Sequence, residues 1–227
     1  MAAYLIELGA MDEKEISDRI YTIGYAGLSV EAFIRLMAQF KIDVVIDVRS
    51  NPHSQYHADY DIERMRPRLK NSGIEYRSYK EEFGARQTDR SYMGEDGCVD
   101  FGLFSLSDGF KAGFRRVSEG IDKGYRVCLM CAEKNPEMCH RTIMVSRRFY
   151  EAGYHVLHIL HDGSTETQLD VEEKLLKKHF PNRSQVSLFD ENNHSDKEYI
   201  DMAYKKQNEA IGYRPENERD ADGEGGE

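Results

Sequence analysis

The stretch Tyr125-Arg-Val-Cys-Leu-Met-Cys-Ala-Glu-Lys-Asn-Pro-Glu-Met-Cys-His-Arg141 decides how this chain is read. Residues 125–130 form a short apolar run after Gly124, which fits a buried strand and is too brief for a helix. From about residue 140 to 152 the pattern becomes helical and stops at Gly153. Between them lies a polar loop holding two cysteines, carboxylates, a histidine and an arginine. Strand, polar loop and helix in that order form the repeating unit of a parallel sheet joined by crossover helices.

Working outward, the same alternation continues on both sides. Residues 19–24 and 42–48 read as strands, the second with a β-branched run as in a buried parallel sheet. Ser29 can cap a helix whose apolar positions are Val30, Phe33, Ile34 and Met37. Residues 61–72 read as a helix that Pro67 kinks or delays, and 74–79 alternates like a strand. Residues 80–104 form a long glycine-rich and polar loop, a kind that is commonly functional. Phe110, Phe114, Val117 and Ile121 mark a further helix, 154–160 a further strand, and 171–180 a last helix before Pro181. The expectation is a single three-layer α/β domain over 19–181, with a mainly parallel sheet of about five strands flanked by helices. An N-terminal extension (1–18) precedes it. A flexible C-terminal tail (182–227), polar and largely disordered, follows.

Composition sets the function classes. The chain has 227 residues, 40% hydrophobic and 32% charged, as expected of a water-exposed globular domain. No apolar run nears the roughly 20 residues a spanning helix needs, and the N-terminus lacks a signal pattern. A cytoplasmic protein without membrane association is expected. The net charge of −10 argues against broad nucleic-acid binding. A local groove for nucleic acid or a nucleotide stays open, because arginines concentrate mid-chain and the acidic run 216–227 lies at the end.

Three of the four cysteines (Cys128, Cys131, Cys139) crowd together, with Cys98 apart. Clustering of this kind points to a reactive thiol, a metal site or burial rather than a disulfide framework. A thiol facing a helix N-terminus favours the thiolate. The catalytic candidates are therefore Cys131 as nucleophile or redox thiol, Cys139 as resolving thiol, and His140 as acid, base or thiolate partner. Asp47 or Glu133 would be the working carboxylate. Arg49, Arg141 and His158 are candidate anion binders at the carboxyl ends of strands, where ligands sit in such folds. Cys128, Cys131, Cys139 and His140 could also be zinc or iron ligands. Against that, residues 128 and 131 fall on opposite strand faces, so no metal ligand is assigned and no cofactor is expected, with zinc or iron kept as the alternative.

Asp47-Val-Arg49 followed by strand, cysteine loop, arginine and helix partly resembles the rhodanese and cysteine-phosphatase architecture, although nine residues separate Cys131 from Arg141 here. A closer resemblance covers roughly residues 20–175. Thr22-Ile-Gly24, Asp47-Val-Arg-Ser50 with Pro52, residues 79–84, Met130-Cys-Ala-Glu133, Cys139-His-Arg141 and His158-Ile159 with Gly163 together resemble the family called domain of unknown function 488. That resemblance implies an α/β fold and no particular reaction. Beyond Pro181, Gln185-Val-Ser-Leu-Phe189 resembles the short peptide by which bacterial DNA polymerases and repair factors dock on the sliding clamp. Gln185, Leu188 and Phe189 would be its anchors; the alternative is that Leu188 and Phe189 pin the tail onto the domain, with Tyr199, Met202 and Tyr204 forming a short docked helix. Three readings follow: a thiol-dependent enzyme acting on a phosphate-bearing or nucleic-acid-related substrate, a non-catalytic nucleotide- or DNA-binding adaptor, and a small metal-binding protein.

Overall fold

The computed structural model of the chain describes residues 18–54, 57–182 and 194–215. The strands are β1 (Arg19–Gly24), β2 (Val44–Asp47), β3 (Glu75–Ser78), β4 (Val127–Cys131), β5 (His155–Ile159) and β6 (Thr165–Thr167). They form one sheet in the order β3-β2-β4-β1-β5-β6. All pairs are parallel except β5–β6, which is antiparallel. The chain is thus α/β as expected, with a sixth strand in the sheet. Thr165-Glu-Thr167 carries no apolar residue and lies at the sheet edge, so it gives no hydrophobic signal.

Helices cover both sheet faces. On one side lie α1 (Val30–Gln39) and α2 (Ile62–Asn71), whose Phe33, Met37, Met65 and Leu69 pack on Val45, Cys128 and Met130. Ser29 caps α1 by accepting from the Ala32 amide at 3.2 Å. Pro67 sits within the single helix α2. On the other side lie α3 (Asp108–Asp122), α4 (Arg147–Glu151) and α5 (Gln168–His179). Their Phe110, Val117, Phe149 and Val171 pack on Ile20, Val127 and Leu129. A wider helical segment with i→i+5 hydrogen bonding, Arg141–Ser146, leads into α4.

The core extends beyond residue 181. Helix α6 (Asp196–Ile211) lays Ala203 and Tyr204 into the same apolar layer as α3 and α5, so 182–227 is not polar tail throughout. A reciprocal capping box starts it: Ser195 accepts from the Glu198 amide, and the Glu198 carboxylate accepts from the Ser195 amide. Gln185, Leu188 and Phe189 lie outside the described residues, between two elements both seated on the domain. No described helix is long and apolar enough to cross a membrane.

Candidate functional site

Parallel strands end together, and β4 ends at Cys131. Side-chain alternation turns Cys128 into the layer of α1 and α2, while Cys131 faces the opposite layer with Cys139. The chain then runs alongside β1: the Tyr25 and Ala26 amides donate to the carbonyls of Cys131 and Ala132 at 3.0 and 2.8 Å. Gly24 permits this approach. A β-carbon there would lie 1.8 Å from the Glu133 carbonyl oxygen, so any other residue would expel the loop. A single helical turn, Pro136–Met138, brings the chain back to Cys139, whose carbonyl accepts from the Thr142 and Ile143 amides.

The result is a cluster of four groups. One donor atom each from Cys131, Glu133, Cys139 and His140 lies within 4.8 Å of all the others. Glu133 Oε2 stands 2.9 Å from both sulfurs. His140 Nε2 lies 2.9 Å from the Val48 carbonyl, which can only accept. That fixes the proton on Nε2 and leaves Nδ1 toward the sulfurs, 3.7 Å from Cys131 Sγ. Both thiols are buried, while Glu133 is exposed at the opening of the site.

Burial alone would push both thiols up, and the two respond differently. Cys131 lies well above the ordinary thiol value: burial raises it, and so does its hydrogen bond to Cys139. For Cys139 burial is outweighed by that same bond and by the positive charges of Arg141 and His140, so it lies well below the ordinary value. The two sulfurs therefore titrate as one unit, with thiolate character favoured at Cys139 over Cys131. Glu133 is exposed as a residue but turns its carboxyl inward against the two buried sulfurs, and this desolvation raises it, aided by the charge on Cys139. Burial would lower His140, yet the Cys139 thiolate and Glu133 raise it overall. Arg141 and His140, at and beside the helix entrance, act on Cys139.

The other candidates stand around this cluster in different roles. Asp47 and Arg49 form a buried ion pair. The Arg49 guanidinium also donates to Tyr25 Oη at 2.8 Å and to the carbonyls of Pro52 and Tyr60, and Tyr76 Oη donates to Asp47 at 2.5 Å. This pair braces the 49–60 loop with its hydrogen-bonding capacity spent inside the protein. Arg141 is 0% exposed. Its Nη1 and Nη2 donate to the Glu133 and Lys134 carbonyls at 2.5 and 3.4 Å, so it holds the cysteine loop rather than an external anion.

His158 is buried one strand away, in a chain of hydrogen bonds. Arg141 Nε donates to Thr22 Oγ1 (3.3 Å), Thr22 to His158 Nδ1 (2.8 Å), and His158 Nε2 to Gln168 Oε1 (3.0 Å). Gln168 Nε2 donates to Tyr204 Oη (2.8 Å), and Tyr204 to Glu172 (3.0 Å). Burial pushes His158 down to about 3, helped by the Arg141 charge. It is a neutral structural histidine.

Residues 29–147 match the family described as Domain of unknown function DUF488, over more than half of the chain. This chain belongs to the DUF488 family. No curated protein and no solved structure matches it. The DUF488 match contains all four clustered groups but stops short of several of their supports. Thr22 and Gly24 precede it; His158, Gln168 and α6 follow it. From α6, Gln207 Nε2 donates to the Glu137 carbonyl at 2.6 Å, while Gln207 Oε1 accepts from Lys178 and His179 at 2.9 Å each. Gln207 thereby ties the cysteine loop to α5. Gln207, Gln168 and Tyr25 carry no sequence signal for this, being ordinary polar or aromatic residues until the fold brings them together. Thr22 and Gly24 stand ahead of the matched residues, and only the approach of the loop gives them a role.

Proposed function

We propose that this chain is a metalloprotein that holds one zinc-class divalent ion between Cys131, Cys139 and His140, with Glu133 as the fourth, exchangeable ligand. One observation carries this reading: four donors of suitable type, from one loop and the helix it enters, lie within 4.8 Å of one another. Donors on one tetrahedral zinc ion stand about 3.4–3.8 Å apart, given Zn–S near ~2.3 Å and Zn–N near ~2.0 Å. The Cys131–His140 separation of 3.7 Å fits that spacing, while Glu133 Oε2, at 2.9 Å from each sulfur, stands closer than co-ligands do and would draw back to coordinate. The hydrogen bond to the Val48 carbonyl presets His140 as metal-ligating histidines are preset. Cys128 lies in the layer on the other sheet face, and in this reading Glu133 supplies the fourth donor. A ligand set of two sulfurs and one nitrogen, with its carboxylate on the solvent side, favours a catalytic-type site. There the ion would supply Lewis acidity at the position Glu133 vacates. Elemental analysis of protein purified without chelator tests this. About one equivalent of zinc is expected, lost in Cys139→Ser and retained in Cys128→Ser. Metal-free protein that also fails to take up zinc in titration would overturn it.

A second reading is favoured by the thiolate character of Cys139. In a chain without metal, Cys139 would be the nucleophile and His140 its charged partner, as in thiol-dependent enzymes.

A further inference from the structure

We infer that Cys131 and Cys139 also form a peroxide-responsive switch, in which a disulfide between the two ligand sulfurs discharges the ion. This rests on the metal reading above. The two sulfurs share Glu133 Oε2 as a neighbour at 2.9 Å each and lie within 4.8 Å of one another. The remaining cysteines cannot compete. Cys128 faces the other layer, and Cys98 is packed against the Asn208 carbonyl and amide. Among the four clustered groups only Glu133 is exposed, so a molecule as small as hydrogen peroxide reaches the sulfurs when that carboxylate swings out.

The two sulfurs have complementary parts. Cys139 sits at the entrance of the helical segment Arg141–Ser146, its carbonyl accepting from the Thr142 and Ile143 amides. Its sulfur attacks one oxygen of hydrogen peroxide. The O–O bond breaks, hydroxide leaves and takes a proton to become water, and Cys139 becomes a sulfenic acid. The Cys131 sulfur then attacks the Cys139 sulfur. The S–O bond breaks, hydroxide leaves and takes a proton from solvent to become a second water, and the disulfide forms. Two ligand thiolates are oxidised and one peroxide, with two protons from solvent, is reduced to two waters. The ion loses two of its four donors and with them most of its affinity.

The braces around the loop make this outcome specific. Arg141 holds the carbonyls of Glu133 and Lys134, and Gln207 holds that of Glu137, so the loop stays folded while the first sulfur is oxidised. Cys131 therefore remains beside the sulfenic acid and traps it before a second peroxide can carry it to sulfinic acid.

The test uses the full-length, zinc-loaded protein. Hydrogen peroxide is added in small excess, zinc release is followed with a chromogenic chelator, and the products are mapped by mass spectrometry. Release of the bound zinc is expected together with the loss of two hydrogens, mapped to a Cys131–Cys139 bond. Dithiothreitol should restore binding, and Cys98→Ser and Cys128→Ser should respond as the native chain does. Retention of zinc under peroxide would overturn the switch alone. So would release accompanied by sulfinic acid at Cys139 and no disulfide, or a bond to Cys98 or Cys128. A chain that binds no zinc before any oxidant is added would defeat the metal reading and the switch with it.

Discussion

At the scale of single residues, the site depends on an absence. Gly24 has nothing where a β-carbon would meet the Glu133 carbonyl at 1.8 Å and Arg141 Nη1 at 2.8 Å. Gly24→Ala should push the loop off β1, costing about 1–3 kcal/mol, the usual range for overpacking. Metal affinity should fall with it, because Glu133 is itself a ligand in our reading. Chemical denaturation and zinc titration of the variant would check both, and native affinity in a destabilised variant would separate the loop from the site. The two thiols give a second residue-level prediction. In protein stripped by chelator near neutral pH, iodoacetamide should label Cys139 faster than Cys131 or Cys128, as their opposite shifts require. Peptide-resolved labelling rates measure this, and faster labelling of Cys131 would reverse the assignment. His158 gives a third. Its folded value of about 3 lies below the ordinary 6.5. The unfolded chain therefore takes the proton first as pH falls. The stabilisation is complete above pH 6.5 and is lost downward toward pH 3, by up to about 1.4 kcal/mol per pH unit. The melting temperature of the native chain should drop more steeply between pH 7 and 5 than that of His158→Gln, and equal slopes would contradict the assignment.

At the scale of elements, helix α6 belongs to the site although it touches none of the four clustered groups. Gln207 is buried and holds the Glu137 carbonyl and the end of α5. Gln207→Leu leaves that carbonyl unpaired in the interior and should cost about 1–3 kcal/mol. Ending the chain at residue 194 also removes Tyr204 from the core, and loss of a large buried aromatic should cost about 3–5 kcal/mol. Urea midpoints of the two variants would rank them, and a truncated chain as stable as the native one would show α6 to be dispensable. This helix also shows where sequence reading stops. Strands β1, β2 and β4 are legible because burial on both faces leaves a compositional mark, and β3, at the sheet edge, is legible by its alternation. Helix α6 buries amides, Gln207 and Asn208, beside Ala203 and Tyr204, so its inward face looks polar. The readable signal was Ser195-Asp-Lys-Glu198, a capping box. Glu133 and the cysteines were legible as reactive groups. That they share one point in space depends on the loop folding back along β1, which residue spacing does not encode. Asp47 and Arg49 show the reverse: residue types suited to a ligand, engaged by each other and by loop carbonyls.

At the scale of the whole molecule, the chain of hydrogen bonds from Arg141 to Glu172 spans β1, β5, α5 and α6. A guanidinium can only give protons, and at the far end a carboxylate oxygen receives one. Every link between them must then point the same way, so the molecule admits one proton arrangement out of the many a set of hydroxyl, imidazole and amide groups could adopt. The polarity has a spectroscopic consequence. The imidazole of His158 should exist as a single tautomer with its proton on Nε2, shielded from exchange with water. Nitrogen-15 spectra of histidine-labelled protein should show one protonated and one bare ring nitrogen for His158 throughout the neutral range, and its ring N–H line should persist where exposed histidines exchange too fast to be seen. Thr22→Val removes one link and frees Nδ1 to seek another donor. That ring should then sample both tautomers, and the averaging of its two nitrogen shifts would report, from the middle of the protein, that the order running from the cysteine loop to the last helix has been cut.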